Sequence, residues 1–226
     1  DRFMAATGVA MTYGEGYNDN NEYFAKIQPL LGNGKPIEAD IIAPTFWMAG
    51  RLINLGWAEK LPKDQIPNFA NLEDGFVNPP WDPTGEYSMP WQGGVAGIAY
   101  NIDVTGREIK SVADLFAPEF KGKIGMLTEM RDTIGLILLA NGIDIADANS
   151  LTEDAFMNAI DFFAGKVSDG QIARIKGNSY SEDLENGDTI AAIAWSGDTV
   201  QLNLSAGREK YGFFIPDSGT TISADL

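Results

Sequence analysis

The chain is predicted to fold as an α/β protein, because strand patterns and helix patterns alternate along it. Three short, mainly apolar segments end in polar or aromatic residues, namely ADIIAPTFW, KIGMLTEMRD and AIAWSGD. The segments between them begin with capping residues and stop near glycine, which is typical of helices. Because ligands of open α/β sheets bind beyond the carboxyl ends of strands, the predicted fold class also indicates where function resides.

The bulk composition indicates a globular and acidic protein. Of the 226 residues, 44% are hydrophobic, which is enough for one large or two modest domains. The 32 acidic and 16 basic residues give a formal net charge of -16, which repels nucleic acid and anionic lipid and attracts cations. Solubility is the alternative explanation of this charge. No apolar run approaches the roughly 20 residues of a membrane helix.

The complete absence of Cys and His excludes several classes of site. Disulfides, thiolate nucleophiles, Ser-His-Asp triads and His-based zinc sites all need one of these residues. The chemistry that remains open to the chain depends on carboxylates, Tyr, Lys, Ser and Thr.

The first part of the chain contains two predicted strands, each followed by a helix. The segment GVAMTY, residues 8–13, is predicted as a strand, and the helix over DNNEYFAKIQPLL follows with a cap at Asp19 or Asn20. The segment ADIIAPT, residues 39–45, is predicted as a short buried strand. The next segment, FWMAGRLINLG, is predicted as a helix that stops at Gly56.

The middle of the chain lacks this regular alternation. Residues 59–87 are rich in Pro, Asn and Asp and are predicted as a long ordered loop. The segment YSMPWQGGVAGIAYNI, residues 87–102, has a strand-like pattern that one proline and three glycines interrupt. An extended and interrupted segment in mid-chain suits a crossover between two lobes.

The remaining part of the chain again alternates between strands and helices. The strand IGMLT is followed by the helix RDTIGLILLANG, and LTEDAFMNAIDFFAGKV is an amphipathic helix capped by Thr152. A short helix, SEDLENG, stops at Gly187, and the buried strand TIAAIAW follows it. The segment YGFFIP is a further predicted strand, and TTISADL is predicted to cross between the lobes a second time.

Side chains at the three strand ends are candidates for one binding site. They are Thr45 and Trp47 after the first strand, Glu129 and Asp132 after the second, and Trp195 and Asp198 after the third. Trp is the best cation–π partner, and carboxylates form charge-assisted hydrogen bonds with ammonium groups. An elongated diamine needs both kinds of contact. The pattern therefore favours a cage for an organic cation, whereas a sugar site would contain more amide and Arg side chains.

Each candidate also has a purely structural interpretation. Asp132 could cap its helix, Trp195 could anchor the core and Asp198 could lie in a turn. A glycosidase with Glu129 and Asp132 as acid and base would need an opposing carboxylate, which the sequence does not indicate. A site for a hard cation could be formed by Glu129, Asp132, Asp198 and Asp225, but these residues lack the dense Asp-x-Asp spacing of calcium loops.

Five longer segments occur in the order and rough spacing of one known family. They are DIIAPTFWMAGRLINLGWAEKLP, NPPWDPTGEYSMPWQGGVAGIAYN, SVADLFAPEFKGKIGMLTEMRDTIGL, SEDLENGDTIAAIAWSGD and FFIPDSGT. Together they resemble the spermidine/putrescine-binding proteins, which are the periplasmic receptors of polyamine ABC importers. The resemblance extends over nearly the whole chain.

The resemblance implies a type II periplasmic-binding-protein fold with two lobes, two crossovers and a cleft between the lobes. The first lobe is expected over residues 1–92 together with 220–226, and the second over residues 97–218. The crossovers are expected at 87–97 and 217–226. The resemblance also implies that a first strand and the chain after the second crossover are absent, so that the fold is truncated at both ends.

Seven residues match ligand positions of the family, and an eighth departs from it. The matching residues are Thr45, Trp47, Glu129, Asp132, Trp195, Asp198 and Asp225. Ser223 stands where the family has Trp or Phe, which weakens one wall of the cage.

The resemblance implies a monomeric extracytoplasmic receptor that binds putrescine or spermidine and passes it to the membrane permease of an ABC importer. Catalysis, cofactors, metal ions and nucleic acid have no part in this expected function. Two alternatives remain open, namely a receptor of the same fold for another small solute and a carboxylate-based hydrolase.

Overall fold

The computed structural model describes residues 2–14 and 17–226. The helices are α1 (Arg2–Thr7), α2 (Asn20–Leu31), α3 (Phe46–Asn54), α4 (Asp74–Val77), α5 (Ile102–Thr105), α6 (Val112–Leu115), α7 (Met130–Ala140), α8 (Glu153–Ser168), α9 (Tyr180–Asn186) and α10 (Ser196–Ala206). The strands are β1 (Gln92–Asn101), β2 (Ile124–Leu127), β3 (Ile172–Lys176), β4 (Ala191–Trp195), β5 (Tyr211–Phe214) and β6 (Ile222–Asp225). Short 3₁₀ turns lie at Lys63–Gln65, Pro67–Asn71 and Pro118–Phe120.

Five of these strands form a mixed sheet in the order β3-β2-β4-β1-β5. The strand β6 also pairs with β1, next to the part of β1 that pairs with β4. The strand β2 is parallel to β3 and β4, whereas β1 is antiparallel to β4, β5 and β6. Residues 92–95 of β1 pair with β6, and residues 96–100 pair with β4. The strand β1 therefore holds the ends of β4 and β6 in a common register.

The apolar core consists of a large and a small hydrophobic cluster. The large cluster contains the buried residues of β1, β2 and β4 together with residues of α7, α9 and α10. The strands β2 and β4 read as continuous apolar runs because nearly all of their residues are buried. The small cluster joins α2 to α3 through Tyr23, Phe24, Ile27, Met48 and Leu52. None of the helices in the described part of the chain is long and apolar enough to cross a membrane.

The predicted helices are confirmed, and their ends follow the capping residues. The carboxylate of Asp19 accepts two backbone N–H groups of the first turn of α2, and the hydroxyl of Thr152 caps α8 in the same way. The helix α9 ends at Gly187, which has a positive φ of 82°. Because a glycine has no Cβ, this left-handed conformation costs it little.

Two of the predicted strands are wrong. Residues 8–14 have no regular secondary structure, and their side chains are exposed. Residues 39–45 form only an isolated bridge between Thr45 and Asp225, and Ile41 is 89% exposed. A strand needs a neighbour for its backbone hydrogen bonds, and in the described part of the chain neither segment has a neighbour along its length. Apolar and β-branched residues were therefore insufficient to specify these strands.

The strand β3 is not among the predicted strands. Arg174 and Lys176 interrupt its apolar pattern, and β3 lies at an edge of the sheet, where charged residues are common. The extended conformation predicted for residues 87–102 is confirmed from Gln92 onward, but its glycines do not interrupt β1. The boundaries of the two lobes stay a prediction.

The packing of β1 against β5 predicts that Gly97→Ala destabilises the protein. A Cβ atom at Gly97 would lie 2.5 Å from Cζ of Phe213 and 2.6 Å from the backbone oxygen of Phe214. Since the backbone cannot move aside freely, we expect the free energy of unfolding to fall by about 1–3 kcal/mol. Urea denaturation followed by circular dichroism measures this change.

The matched control is Gly165→Ala in the exposed part of α8, where an added Cβ meets nothing within 4 Å. This variant is expected to gain about 0.5–1 kcal/mol of stability, because alanine loses less conformational entropy in a helix. Wild-type stability in Gly97→Ala would show that the strand pair can accommodate the methyl group.

Candidate functional site

The candidate residues lie where the ends of β2, β4 and β6 approach the starts of three helices. Thr45 precedes α3, Glu129 is the N-cap of α7, and Trp195 precedes α10. The N-terminus of a helix carries partial positive charge, which stabilises carboxylates placed in or near the first turn. The acidic residues Asp132 and Asp198 occupy such first-turn positions.

Trp47 and Glu129 form a hydrogen-bonded pair between α3 and α7. The indole Nε1 of Trp47 donates to Oε2 of Glu129 at 3.1 Å, and the backbone N–H of Arg131 donates to Oε1 at 3.1 Å. The side chain of Glu129 is only 12% exposed. Burial raises the pKa of Glu129, and the charge of Asp132 adds to the rise, while the bonds from Arg131 and Trp47 oppose it.

The guanidinium group of Arg131 lies over the ring of Trp47. Its Cζ atom is 3.8 Å from the ring centroid, and Nη1 is 3.5 Å from Oε1 of Glu129. A cation on an indole face beside a carboxylate is the arrangement that the sequence predicted for a ligand ammonium group. At this position the cation belongs to the chain itself.

Trp195 is positioned by a buried carboxylate. Its Nε1 donates to Oδ2 of Asp132 at 2.7 Å, and the hydroxyl of Thr221 donates to Oδ1. Asp132 is 4% exposed, and a carboxylate this deeply buried is tolerated only with such partners. Asp132 does not cap its helix, because Glu129 has that role. The bonding of Asp132 therefore fixes the orientation of the Trp195 indole.

Asp198 is bonded to Tyr180, which the sequence analysis did not identify. The hydroxyl of Tyr180 donates to Oδ2 of Asp198 at 2.8 Å and accepts the backbone N–H of Trp195 at 3.1 Å. The rings of Tyr180 and Trp195 meet edge to face with centroids 5.6 Å apart. Burial raises the pKa of Asp198, the bond from Tyr180 opposes the rise, and the charge of Asp225 adds to it.

Asp225 extends the site onto β6. Its Oδ2 accepts a hydrogen bond of 2.9 Å from Nε2 of Gln92, and its backbone bridges to Thr45. Burial raises the pKa of Tyr17 to about 12, and the negative charge of Asp225 contributes to this rise. The charge of Asp225 thus acts on both Tyr17 and Asp198. Within the described residues, Asp198 and Asp225 each have one carboxylate oxygen that accepts no hydrogen bond.

The polar groups of Thr45 are bonded to Asn20. Nδ2 of Asn20 donates to the Thr45 hydroxyl at 2.8 Å, and Oδ1 accepts the Thr45 backbone N–H at 3.3 Å. This pair fixes the start of α3 against the start of α2. Ser223 faces Gly94 in the β1–β6 pair, so neither strand presents an aromatic ring at this position.

Hydrogen bonds fasten the segment before α2 to the ends of β2 and β3. The hydroxyl of Thr128 donates to Oδ2 of Asp19 at 2.7 Å, and the backbone N–H of Ser179 donates to Oδ1 of Asn18 at 2.7 Å. Gly177 is required for this approach, because a Cβ there would lie 1.9 Å from the backbone oxygen of Asn18.

The structure thus connects the three segments that the sequence analysis selected, although the first of them is not a strand. The residues that it missed include Arg131, which contacts Trp47 and Glu129. Others are Asn20, Gln92, Tyr180 and Thr221, which contact the candidates through hydroxyl or amide groups. The Asn-rich segment before α2 suggested only a helix cap, and isolated Tyr and Thr residues have no distinguishing pattern. Across residues 2–14 and 17–226, no group of three or more acidic side chains is arranged to hold a metal ion. The ligand role of the seven candidates stays a prediction.

The comparison with known families and sequences supports the resemblance found in the sequence. The model of the bacterial extracellular solute-binding protein family matches residues 1–226. The spermidine/putrescine-binding periplasmic protein of Escherichia coli is 29% identical over 139 residues, which cover 61% of this chain and 38% of that protein. The putrescine-binding periplasmic protein PotF of the same organism is 26% identical over 208 residues, covering 83% of this chain and 54% of that protein.

The comparison with solved structures concerns the fold. A putative spermidine/putrescine ABC transporter protein from Listeria monocytogenes has a TM-score of 0.80 and 22% identity, with 99% of this chain and 66% of that chain covered. The predicted type II periplasmic-binding-protein fold is confirmed, as is the resemblance to spermidine/putrescine-binding proteins. The chain spans about half or less of the length of the two Escherichia coli relatives.

The raised pKa of Asp198 predicts that Asp198→Asn stabilises the protein at neutral pH. A carboxyl group whose pKa is higher in the folded state contributes most to stability below its unfolded pKa, and this contribution is lost as the pH rises through the folded pKa. The Asn oxygen can still accept the Tyr180 hydroxyl, so the variant removes a buried charge but keeps this bond. We expect a higher thermal midpoint than wild type at neutral pH.

The difference in thermal midpoint between Asp198→Asn and wild type should shrink as the pH falls through the raised folded pKa of Asp198. It should vanish below the usual pKa of an aspartate, because the wild-type carboxyl is then neutral in both the folded and the unfolded state. Differential scanning calorimetry across this pH range measures it, with Asp161→Asn on an exposed face of α8 as the control. A lower midpoint for Asp198→Asn throughout the range would show that the Asp198 charge stabilises the fold.

Proposed function

The chain belongs to the bacterial extracellular solute-binding protein family, and we propose that it captures a polyamine, putrescine or spermidine, and delivers it to the membrane permease of an ABC importer. In this proposal the protein acts outside the cytoplasm and binds its ligand without altering the ligand chemically. The proposed lobes are residues 1–92 with 220–226 and residues 97–218, with the ligand between them. The proposed ligand-facing residues are Thr45, Trp47, Glu129, Asp132, Trp195, Asp198 and Asp225.

The observation that carries the proposal is the different bonding of the four carboxylates in the site. Glu129 and Asp132 hold indole N–H groups, which fixes the edges of two Trp rings. Asp198 and Asp225 instead each retain an oxygen without a hydrogen bond from the described residues. An ammonium group has three donors and no acceptor, so it is matched to such oxygens. The methylene chain of an amine is matched to the adjacent aromatic surface.

The electrostatics of the site favour a cation for a second reason. Burial and the charge of Asp225 together raise the pKa of Asp198, so the negative charge of this carboxylate is held at a cost in free energy. An ammonium group beside Asp198 would offset that cost. At longer range, the net charge of -16 would attract a polycation and increase its association rate, in a way that salt reduces.

The hydrolase alternative receives less support from the bonding of the acidic pair. Glu129 and Asp132 each have both carboxylate oxygens engaged by other groups of the chain, so neither is positioned as a free general acid or base. Mass spectrometry of each amine before and after incubation with the protein tests this alternative. An unchanged mass is expected, and a new product would favour an enzyme.

Trp195→Ala and Asp198→Asn test the proposed site, and each is expected to weaken putrescine binding. The expected loss is about 1–4 kcal/mol, the range of buried anchors and charge partners, which is roughly 5- to 700-fold in dissociation constant. Isothermal titration calorimetry with putrescine and with butylamine measures it. Trp195→Ala removes aromatic contact along the chain of the ligand, so both amines should lose affinity.

Asp198→Asn removes one charge partner of the ligand, so putrescine should lose much of its affinity. Butylamine has one ammonium group and can bind at the end of the site away from Asp198, so its affinity should change little. Asp161→Asn is again the control for a change of charge outside the site. If putrescine binds Asp198→Asn with wild-type affinity, the Asp198 carboxylate has no part in recognition. If wild type binds neither putrescine nor spermidine, the proposed ligand class is wrong.

A further inference from the structure

Arg131 occupies an electrostatically unfavourable position for a structural arginine. It lies in the first turn of α7, directly after the N-cap Glu129 and Met130. The partial positive charge of the helix N-terminus disfavours a cation at this point. The contacts that offset this cost are the face of Trp47, 3.8 Å away, and the carboxylate of Glu129, 3.5 Å away.

Arg51 provides an internal comparison. Its Cζ lies 3.8 Å over the ring of Phe24, which is the same distance as in the Arg131–Trp47 pair. Among the described residues, however, Arg51 forms no ion pair, whereas Arg131 combines the aromatic contact with a carboxylate. Only the second arrangement reproduces the two contacts that an ammonium group of a ligand would make in the candidate site.

The charges around Arg131 divide the site into an occupied part and an open part. Glu129 already faces a guanidinium group, and its oxygens also hold the Trp47 indole and a backbone N–H. Asp198 and Asp225 retain unbonded oxygens and face no cationic side chain within the described residues. The open part therefore matches a ligand that carries two positive charges.

We propose that Arg131 is a specificity-determining residue that fills one cation position of the cleft with the chain's own charge. This inference rests on the proposed polyamine-binding function and narrows it to diamines. A triamine such as spermidine would have to place its additional ammonium group where the guanidinium lies, or displace it. The side chain of Arg131 is 47% exposed, so displacement into solvent is sterically open but forfeits both contacts.

The test compares the affinities of putrescine and spermidine in wild type, Arg131→Gln, Arg131→Lys and Arg51→Gln. Wild type is expected to bind putrescine more tightly than spermidine. In Arg131→Gln, the ratio of the spermidine dissociation constant to the putrescine dissociation constant is expected to fall by about tenfold, which corresponds to about 1.4 kcal/mol. Arg131→Lys keeps the charge and should keep most of the wild-type ratio.

Arg51→Gln is the matched control, because it removes an arginine stacked at the same distance on an aromatic ring and the same unit of charge. The ratio of its spermidine dissociation constant to its putrescine dissociation constant should equal that of wild type. An unchanged ratio in Arg131→Gln, with both amines still bound, would refute the role of Arg131 and leave the proposed function intact. Failure of wild type and Arg131→Gln to bind any amine would refute the proposed function and this inference together.

A titration with 4-aminobutyrate tests whether Arg131 instead binds an anionic group of the ligand. This compound has an ammonium group at one end and a carboxylate at the other, with a chain close in length to that of putrescine. If Arg131 instead receives an anionic end of the ligand, wild type will prefer 4-aminobutyrate and Arg131→Gln will lose that preference. Such a result would overturn the proposal, because Arg131 would then be a ligand contact rather than a substitute for a ligand cation.

Discussion

The pairing of β1 with both β4 and β6 sets the distance between two parts of the candidate site. Ala96 faces Trp195 at the end of β4, and Gln92 faces Asp225 at the end of β6. These positions on β1 are four residues apart, which corresponds to about 13 Å along a strand. Because Asp225 also bridges to Thr45, the same strand determines where α3 begins. A shift in the β1 register would move every one of these groups at once.

Within this frame, the orientation of the aromatic rings depends on buried hydrogen bonds to carboxylates. Burying Asp132 carries a desolvation cost that its two hydrogen bonds only partly offset. In return, the indole of Trp195 is held in one orientation before any ligand arrives. A ring that is already fixed loses little side-chain entropy on binding, and this lowers the entropic cost of recognition. The pair of Trp47 and Glu129 has the same chemistry at α3 and α7.

The helices, and the grouping of the candidate residues beyond neighbouring strand ends, could be predicted from the sequence. Caps such as Asp19 and Thr152 act within one turn, and strand ends in an α/β sheet converge by topology. The strands predicted at 8–13 and 39–45 failed because pairing depends on distant segments, which the local pattern cannot report. The roles of the carboxylates were unpredictable for the same reason. Trp47 and Glu129, for example, are 82 positions apart.

Under the proposed function, the difference between hydrogen-bonded and unbonded carboxylates would also couple ligand binding to proton release. Burial holds the pKa of Asp198 above its ordinary value, and an adjacent ammonium group would lower it again by stabilising the charged form. Binding would then release a proton in the pH window between the two values, so affinity for a cation should rise with pH through that window. Glu129 should contribute less to this linkage, although its pKa is also raised, because Arg131 already supplies a positive charge beside it. Under the proposed function, the guanidinium group of Arg131 would therefore influence both the number of ligand charges that the site accepts and which carboxylate responds to the ligand.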